Sequence, residues 1–265
     1  MFFAEDNKSL IVAMDHCLGY GPVAGLEDPG RVIEAAVEAG ADGIMTSFGV
    51  IKKYRHQLIG RIPVILRLDG GASLYRDEWL AYAEYSLLHS VDTALELGVN
   101  GVIVNIFVGA TVELETYKIV AKVADECLKT GLPLMVEALP CPNKKMPPPA
   151  TTEAIAIAAR IAFEHGADYV KTHYSGNPEA FAQRVIQTCP VPVLIAGGPK
   201  MDSLQAVLQT VYETIEVGAT GVVFGRNIWE NGNVGGMVSA LKHIIHHNAP
   251  VDEAINAYEL WQPKR

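Results

Sequence analysis

Lys171 carries the strongest chemical signal in this 265-residue chain. It stands inside Ala167-Asp-Tyr-Val-Lys-Thr, a run whose other features predict a buried strand. An unpaired buried ammonium is costly, so such a lysine is either matched by a carboxylate or held as the neutral amine. A neutral ε-amine facing a pocket attacks carbonyl carbons and forms Schiff bases, whereas a paired one is structural. Position alone leaves both open. Asp15 ends the predicted strand Leu10–Met14, where it can orient the lysine, shuttle protons or merely cap a turn. Glu137, near the end of Leu134–Ala138, is either a proton donor or the charge partner of Lys171.

A second group of residues points to an anion. Gly197-Gly198 and Gly225-Arg226 follow two successive predicted strands. Glycines let main-chain N–H groups approach phosphate oxygens, and an arginine adds a bidentate contact. Tight turns alone also explain such glycines, but two in consecutive loops favour phosphate. Nothing has zinc-type spacing, and no metal or cofactor is expected. His243-Ile-Ile-His-His falls near a helix C-terminus, where histidines complement the dipole.

These residues need a frame, and one phrase recurs to supply it. The chain reads Glu38-Ala-Gly-Ala-Asp-Gly-Ile-Met, Glu96-Leu-Gly-Val-Asn-Gly-Val-Ile, Glu164-His-Gly-Ala-Asp-Tyr-Val-Lys and Glu216-Val-Gly-Ala-Thr-Gly-Val-Val. Each has a helix-ending glycine, a small or polar residue, then a run rich in Val and Ile, which is the order of a β/α unit. Eight strands are predicted: Leu10–Met14, Gly43–Thr46, Val64–Leu68, Gly101–Ile106, Leu134–Ala138, Tyr169–Thr172, Val193–Ala196 and Gly221–Phe224. Helical periodicity fills Val32–Ala39, Trp79–Leu97, Leu114–Lys129, Thr152–Glu164, Glu179–Thr188, Ser203–Glu216 and Val234–His246. Eight units in 265 residues is about 33 each, near the size of a (β/α)8 barrel. The fold class is therefore α/β, a single-domain TIM barrel over 1–265 with a C-terminal helical extension at about 250–262. A doubly wound open sheet is the alternative. In a barrel, the strand C-termini carry function. The polar residues Asp15, Arg67, Asp69, Asn105, Glu137, Lys171, Lys200 and Arg226 all fall at or just beyond predicted strand ends. Pro147-Pro-Pro follows strand five and is either a lid or a plain surface connection.

Composition narrows the class of function. Hydrophobic residues make up 49% of the chain, enough for a large core, and no run approaches a membrane span. The N-terminus reaches Glu5 and Asp6 too soon for a signal peptide, so a cytoplasmic protein is expected. The 21 Lys and Arg against 30 Asp and Glu give a net charge of −9, which disfavours nucleic acid. Cys17, Cys127, Cys141 and Cys189 are widely spaced and read as free thiols. Charged residues are only 19% of the chain, below the usual roughly 25%, which suggests surface buried between like subunits.

Several stretches together resemble a known family. They are Met14-Asp-His with Gly-Pro-Val-Ala-Gly-Leu downstream, Lys171-Thr-x-Tyr-Ser-Gly-Asn, Ala196-Gly-Gly-Pro-Lys and Gly225-Arg-Asn-Ile-Trp. In that order, from about residue 9 to about 246, they resemble the archaeal-type class I fructose-bisphosphate aldolases. That family also takes in aminodideoxyheptulosonate synthases and the autoinducer-2 phosphate-processing thiolase. The resemblance implies a TIM barrel in which Lys171 forms the Schiff base and Asp15 assists proton transfer. It also implies that the turns at Gly197-Gly198 and Gly225-Arg226 hold a substrate phosphate, in a homo-oligomer that is often a large ring. The chain departs from the family's Tyr-Pro-Arg-Gly after strand five: Leu139 stands where the acid/base tyrosine would be, and Cys141 replaces the arginine. Leucine moves no proton, so Glu137, Asp15 or a water takes the role, or the reaction differs.

The expected function is a class I aldolase acting on a phosphorylated ketose or related sugar phosphate. A thiolase-like acyl transfer to or from a phosphorylated diketone by the same lysine is one alternative. A non-catalytic phosphosugar-binding barrel is another.

Overall fold

The computed structural model describes residues 2–75 and 85–263. Eight parallel strands close into a barrel: β1 (Ser9–Ala13), β2 (Gly43–Thr46), β3 (Val64–Arg67), β4 (Gly101–Val108), β5 (Leu134–Pro140), β6 (Tyr169–Thr172), β7 (Val193–Ala196) and β8 (Gly221–Phe224). Each strand pairs with its neighbours in chain order, and β8 closes on β1 from Ser9↔Gly221 to Val12↔Phe224. Closure excludes the open sheet. The predicted strands match these except at their ends. Helices surround the ring, and most strands are fully buried because side chains on both faces meet apolar layers. Gly40 (φ 84°) and Gly98 (φ 76°) end the helices Pro29–Ala39 and Val91–Leu97 in the left-handed region, so the chain turns at once into the next strand.

The two-residue period of a strand fixes where chemistry sits. One apolar layer inside the barrel is built from Ile11, Ala13, Met45, Ile65, Ile103, Met135, Leu194 and Val223, with Phe2 packed against it. Two residues beyond Ala13, Ile65, Ile103, Met135 and Tyr169 stand Asp15, Arg67, Asn105, Glu137 and Lys171. The ladder registers align Asn105 with Glu137 and Glu137 with Lys171. An apolar floor thus carries a polar layer at the C-terminal mouth.

One expectation fails. Residues 79–97 do not form a continuous helix: Tyr85–Leu87 is a short strand, antiparallel to Asp69–Gly71, with Gly71 opposite Tyr85. Positions 79–84 lie outside the described residues. The helix starts only at Val91, because the Ser90 hydroxyl accepts the Thr93 N–H at 3.1 Å and caps it there. Helical periodicity had run through this cap. A helix over Val251–Leu260 follows the last barrel helix, Val234–His247.

The far end of the barrel carries a histidine clamp between two carboxylates. His246 lies between Asp6 (Nδ1–Oδ2 3.0 Å) and Asp42 (Nε2–Oδ2 2.9 Å), and Asp42 also accepts the Leu10 N–H at 2.6 Å. Burial works to lower the imidazole pKa, but the two carboxylates outweigh it and raise the value above the ordinary one. A raised histidine adds stability that is fully present below the unfolded value, about 6.5. That contribution is lost as pH rises through the folded value. His246→Gln is therefore expected to lower the melting temperature more at pH 5.5 than at pH 8.5. Equal losses at both pH values would contradict the clamp.

Candidate active site

Arg67 is the hub of the mouth. Only 5% exposed, it donates from Nε to Asp15 Oδ2 at 2.9 Å and from Nη1 to Asn105 Oδ1 at 2.5 Å. A longer Nη1 contact reaches Asp69 Oδ1 at 3.4 Å, and Nη2 donates to Glu137 Oε2. Burial alone would discharge the guanidinium, but the charges of Asp15, Glu137 and Asp69 hold its pKa well above the ordinary value. Composition and periodicity place Arg67 only at a strand end. Its role depends on side chains that converge from β1, β3, β4 and β5 across the barrel.

Lys171 is also 5% exposed, and its Nζ lies 2.7 Å from Glu137 Oε1. Glu137 is thus gripped by two cations, one on each oxygen. Burial pushes its carboxyl up, but Lys171 and Arg67 overcome this and drive it well below the carboxylate range. That direction suits a counter-ion and acceptor at neutral pH. Asp15 is held by Arg67 rather than by the lysine, and its other oxygen lies 3.6 Å from His16 Nδ1. Asp69 is buried beside them. Burial raises it to about 6 against the pull of Arg67, while Oδ2 accepts the Asn105 N–H at 2.5 Å. Tyr85, from the unexpected hairpin, accepts from Asn105 Nδ2 at 2.7 Å.

These groups border a cavity of about 320 Å³. Asp15, Arg67, Asp69, Asn105, Glu137 and Lys171 line it together with Leu139, so the leucine does occupy the mouth.

The residues expected to hold phosphate lie beside this cavity, after β7 and β8. Gly198 adopts φ +64° with open space where a Cβ would be. It lines a neighbouring cavity of about 730 Å³ together with Gly197, His173 and Lys200. Arg226 Nε is buried and has no hydrogen-bond partner among the described residues. Gly225 is needed for packing as well: a Cβ there would come 2.5 Å from His16 Cε1 and 2.9 Å from the Ala13 carbonyl oxygen. Burial, with the charges of Lys171 and Arg226, pushes His16 and His173 below the ordinary imidazole range despite nearby carboxylates.

Asn227, 3% exposed, ties the two loops together and was not singled out by sequence. Its Nδ2 donates to Gly197 O at 2.8 Å, and its Oδ1 accepts the Met201 N–H at 2.8 Å. The Pro147-Pro-Pro segment borders the larger cavity through Pro149. In the histidine cluster, His246 turns to Asp6 and Asp42 as described above.

With the barrel and its polar mouth described, the comparison with known proteins is direct. A family model described as DeoC/LacD family aldolase matches residues 9–231. The chain belongs to the DeoC/LacD family of aldolases. It is 34% identical over 259 residues to the class 1 fructose-bisphosphate aldolase of Thermoproteus tenax, covering 96% of this chain and 95% of that protein. It is 31% identical over 261 residues to the 3-hydroxy-5-phosphonooxypentane-2,4-dione thiolase of Escherichia coli, covering 98% and 84%. A solved archaeal fructose-1,6-bisphosphate aldolase, with its catalytic Lys covalently bound to the carbinolamine intermediate of the substrate, superposes with a TM-score of 0.83. It is 33% identical and covers 92% of this chain and 96% of that one.

Proposed function

We propose that this chain is a class I aldolase, a lyase that cleaves or forms a C–C bond in a phosphorylated ketose or related sugar phosphate through a Schiff base on Lys171. One observation carries the assignment. In a barrel of this family, a lysine buried in β6 lines the mouth cavity, and the carboxylate that faces it at 2.7 Å, Glu137, is also held by Arg67 and so does not depend on the lysine's charge.

The chemistry follows from the geometry. Lys171 gives one proton to solvent in the mouth, the free amine adds to the ketone carbon, and a proton leaves with the carbinolamine hydroxyl as water, so a protonated imine remains. Glu137 stays ionised and faces that cation as it faced the ammonium. Asp15, with one oxygen fixed by Arg67, takes the proton from the substrate hydroxyl as the C–C bond breaks. The electron pair passes into the imine and the aldehyde departs. A proton then returns to the resulting enamine carbon, and water hydrolyses the imine to release the ketone and the amine. Gly197, Gly198, Gly225 and Arg226 hold the phosphate. Support for this comes from the open left-handed turn at Gly198 and the unpartnered Arg226 Nε.

The enzyme works in the cytoplasm as a homo-oligomer. Leu114 and Leu128, which stand 63% and 86% exposed on one helix, support the oligomer.

A thiolase-like transfer on a phosphorylated diketone is the second reading. It draws on the Escherichia coli relative and on Leu139 in the mouth. A panel of phosphorylated ketoses, assayed in excess EDTA with and without coenzyme A, separates the two. Release of aldehyde and ketone phosphate without coenzyme A is the expected result. Product that forms only with coenzyme A would move the chain to acyl transfer. Thermal stabilisation by sugar phosphates with no turnover would reduce it to a binding barrel.

A further inference from the structure

The charges around the Lys171 cavity are distributed unevenly, and this bears on the substrate. Its described lining holds two permanent cations, and neither is free. Arg67 is engaged through Nε, Nη1 and Nη2 by Asp15, Asn105, Asp69 and Glu137. Lys171 faces Glu137 and becomes the imine nitrogen in the reaction. His16, the described imidazole of this lining, is held below its ordinary pKa by burial and adds no charge near neutrality. Against these stand three carboxylates, Asp15, Asp69 and Glu137. Among the described residues the lining also includes Leu18, Gly19, Tyr20, Leu74 and Leu88, and the end of β5 contributes Leu139.

A phosphate dianion entering this half would find no unsatisfied cation among the described residues. It would also sit in the field of up to three carboxylates with little water to screen them. Carboxylate oxygens, by contrast, accept O–H donors, and leucine side chains suit the C–H faces of a sugar chain. The features suited to an anion lie together on the other side, after β7 and β8: Gly198 with its open left-handed turn, the unpartnered Arg226 Nε, and Lys200 beside the neighbouring cavity.

We propose that the substrate carries one phosphate, bound on the β7 and β8 side, and that the chain beyond its carbonyl is uncharged and hydroxyl-bearing. The preferred substrate class is a ketose monophosphate rather than a bisphosphate. This rests on the Schiff-base reading above and adds the charge state of the far end.

The test compares matched pairs of ketose 1-phosphates and 1,6-bisphosphates across the ketohexose stereoisomers. Each is assayed for kcat/KM and for the concentration that half-saturates borohydride trapping on the enzyme. For whichever stereoisomer turns over, the monophosphate is expected to have at least about tenfold higher kcat/KM. Leu18→Lys, which places a cation at the rim away from the reacting groups, is expected to lower KM for the bisphosphate and leave the monophosphate unchanged. An imine that forms with both members, with the bisphosphate equal or better, would overturn the single-phosphate proposal and leave the lysine mechanism standing. Absence of both imine and turnover with every pair would overturn the underlying aldolase reading, and this proposal with it.

Discussion

Replacing Arg67 by methionine is expected to lower the melting temperature by roughly 10 °C and turnover by about 100-fold or more. The thermal effect follows from what the substitution leaves behind. Asp15, Asp69 and Glu137 all lean on one buried guanidinium, and removing one partner of a buried ion pair costs about 3–5 kcal/mol. That is a large part of the total stability of a domain, and at this chain length each kcal/mol is worth roughly 2–4 °C. The kinetic effect follows from position. Arg67 fixes one oxygen of Asp15 and one of Glu137, and an error of about 1 Å in such groups can cost about 100-fold.

Arg67→Lys is expected to fall between, since an ammonium keeps the charge but cannot span four strands with a rigid fork. A pH profile separates positioning from mere folding. Arg67 helps to hold Glu137 far below the carboxylate range, so without it burial raises that carboxyl and the acid limb of kcat/KM moves to higher pH. The stability linkage has the matching sign. A depressed carboxyl stabilises the fold above the unfolded value, near 4.3, and this contribution is lost as pH falls. The variant therefore loses much of what Glu137 gives the native protein at neutral pH. Wild-type stability in Arg67→Met would show that the hub is not the support of the mouth.

Lys171→Met is expected to show the opposite signature: the fold survives and the activity does not. Glu137 keeps Arg67 as partner when the lysine is removed, so no carboxylate is stranded alone in the interior. Methionine also fills much of the same volume, and the change in stability should stay within about 2 kcal/mol. On the Schiff-base proposal turnover loses its nucleophile, and removing such a group is expected to cost roughly 10⁴- to 10⁶-fold. Steady-state rates beside thermal melts of the two variants check the contrast. Residual activity within tenfold of wild type in Lys171→Met would assign the chemistry elsewhere.

The difference between these two residues also marks what a single chain of letters reveals. The burial of Lys171 at the mouth was legible because a charge inside an apolar strand contradicts its surroundings, and the helix-ending glycines had already located the strand. The same grammar placed all eight strands. Arg67 and Asn105 sit in similar runs, yet their weight comes from contacts across the barrel between elements about 40 to 70 positions apart, and no local pattern encodes those. The partner of Lys171 was narrowed to Asp15 or Glu137, and register settled it: Glu137 is the direct ladder neighbour. The hairpin that brings Tyr85 to Asn105 was hidden because alternation over three residues is too short to override a helical pattern beside it. Asn227 escaped for another reason. An asparagine just inside a short helix looks like any loop residue until its hydrogen bonds to two loops are seen.

Borohydride reduction during turnover probes the role of Lys171 most directly. Protein mixed with a turned-over ketose phosphate and reduced should gain the mass of the bound ketone less one water plus two hydrogens. Peptide mapping should put that adduct on the fragment that contains Lys171, and Lys171→Met should gain nothing. An enzyme that turns over its substrate yet yields no adduct, or carries it on another lysine, would contradict the Schiff-base assignment.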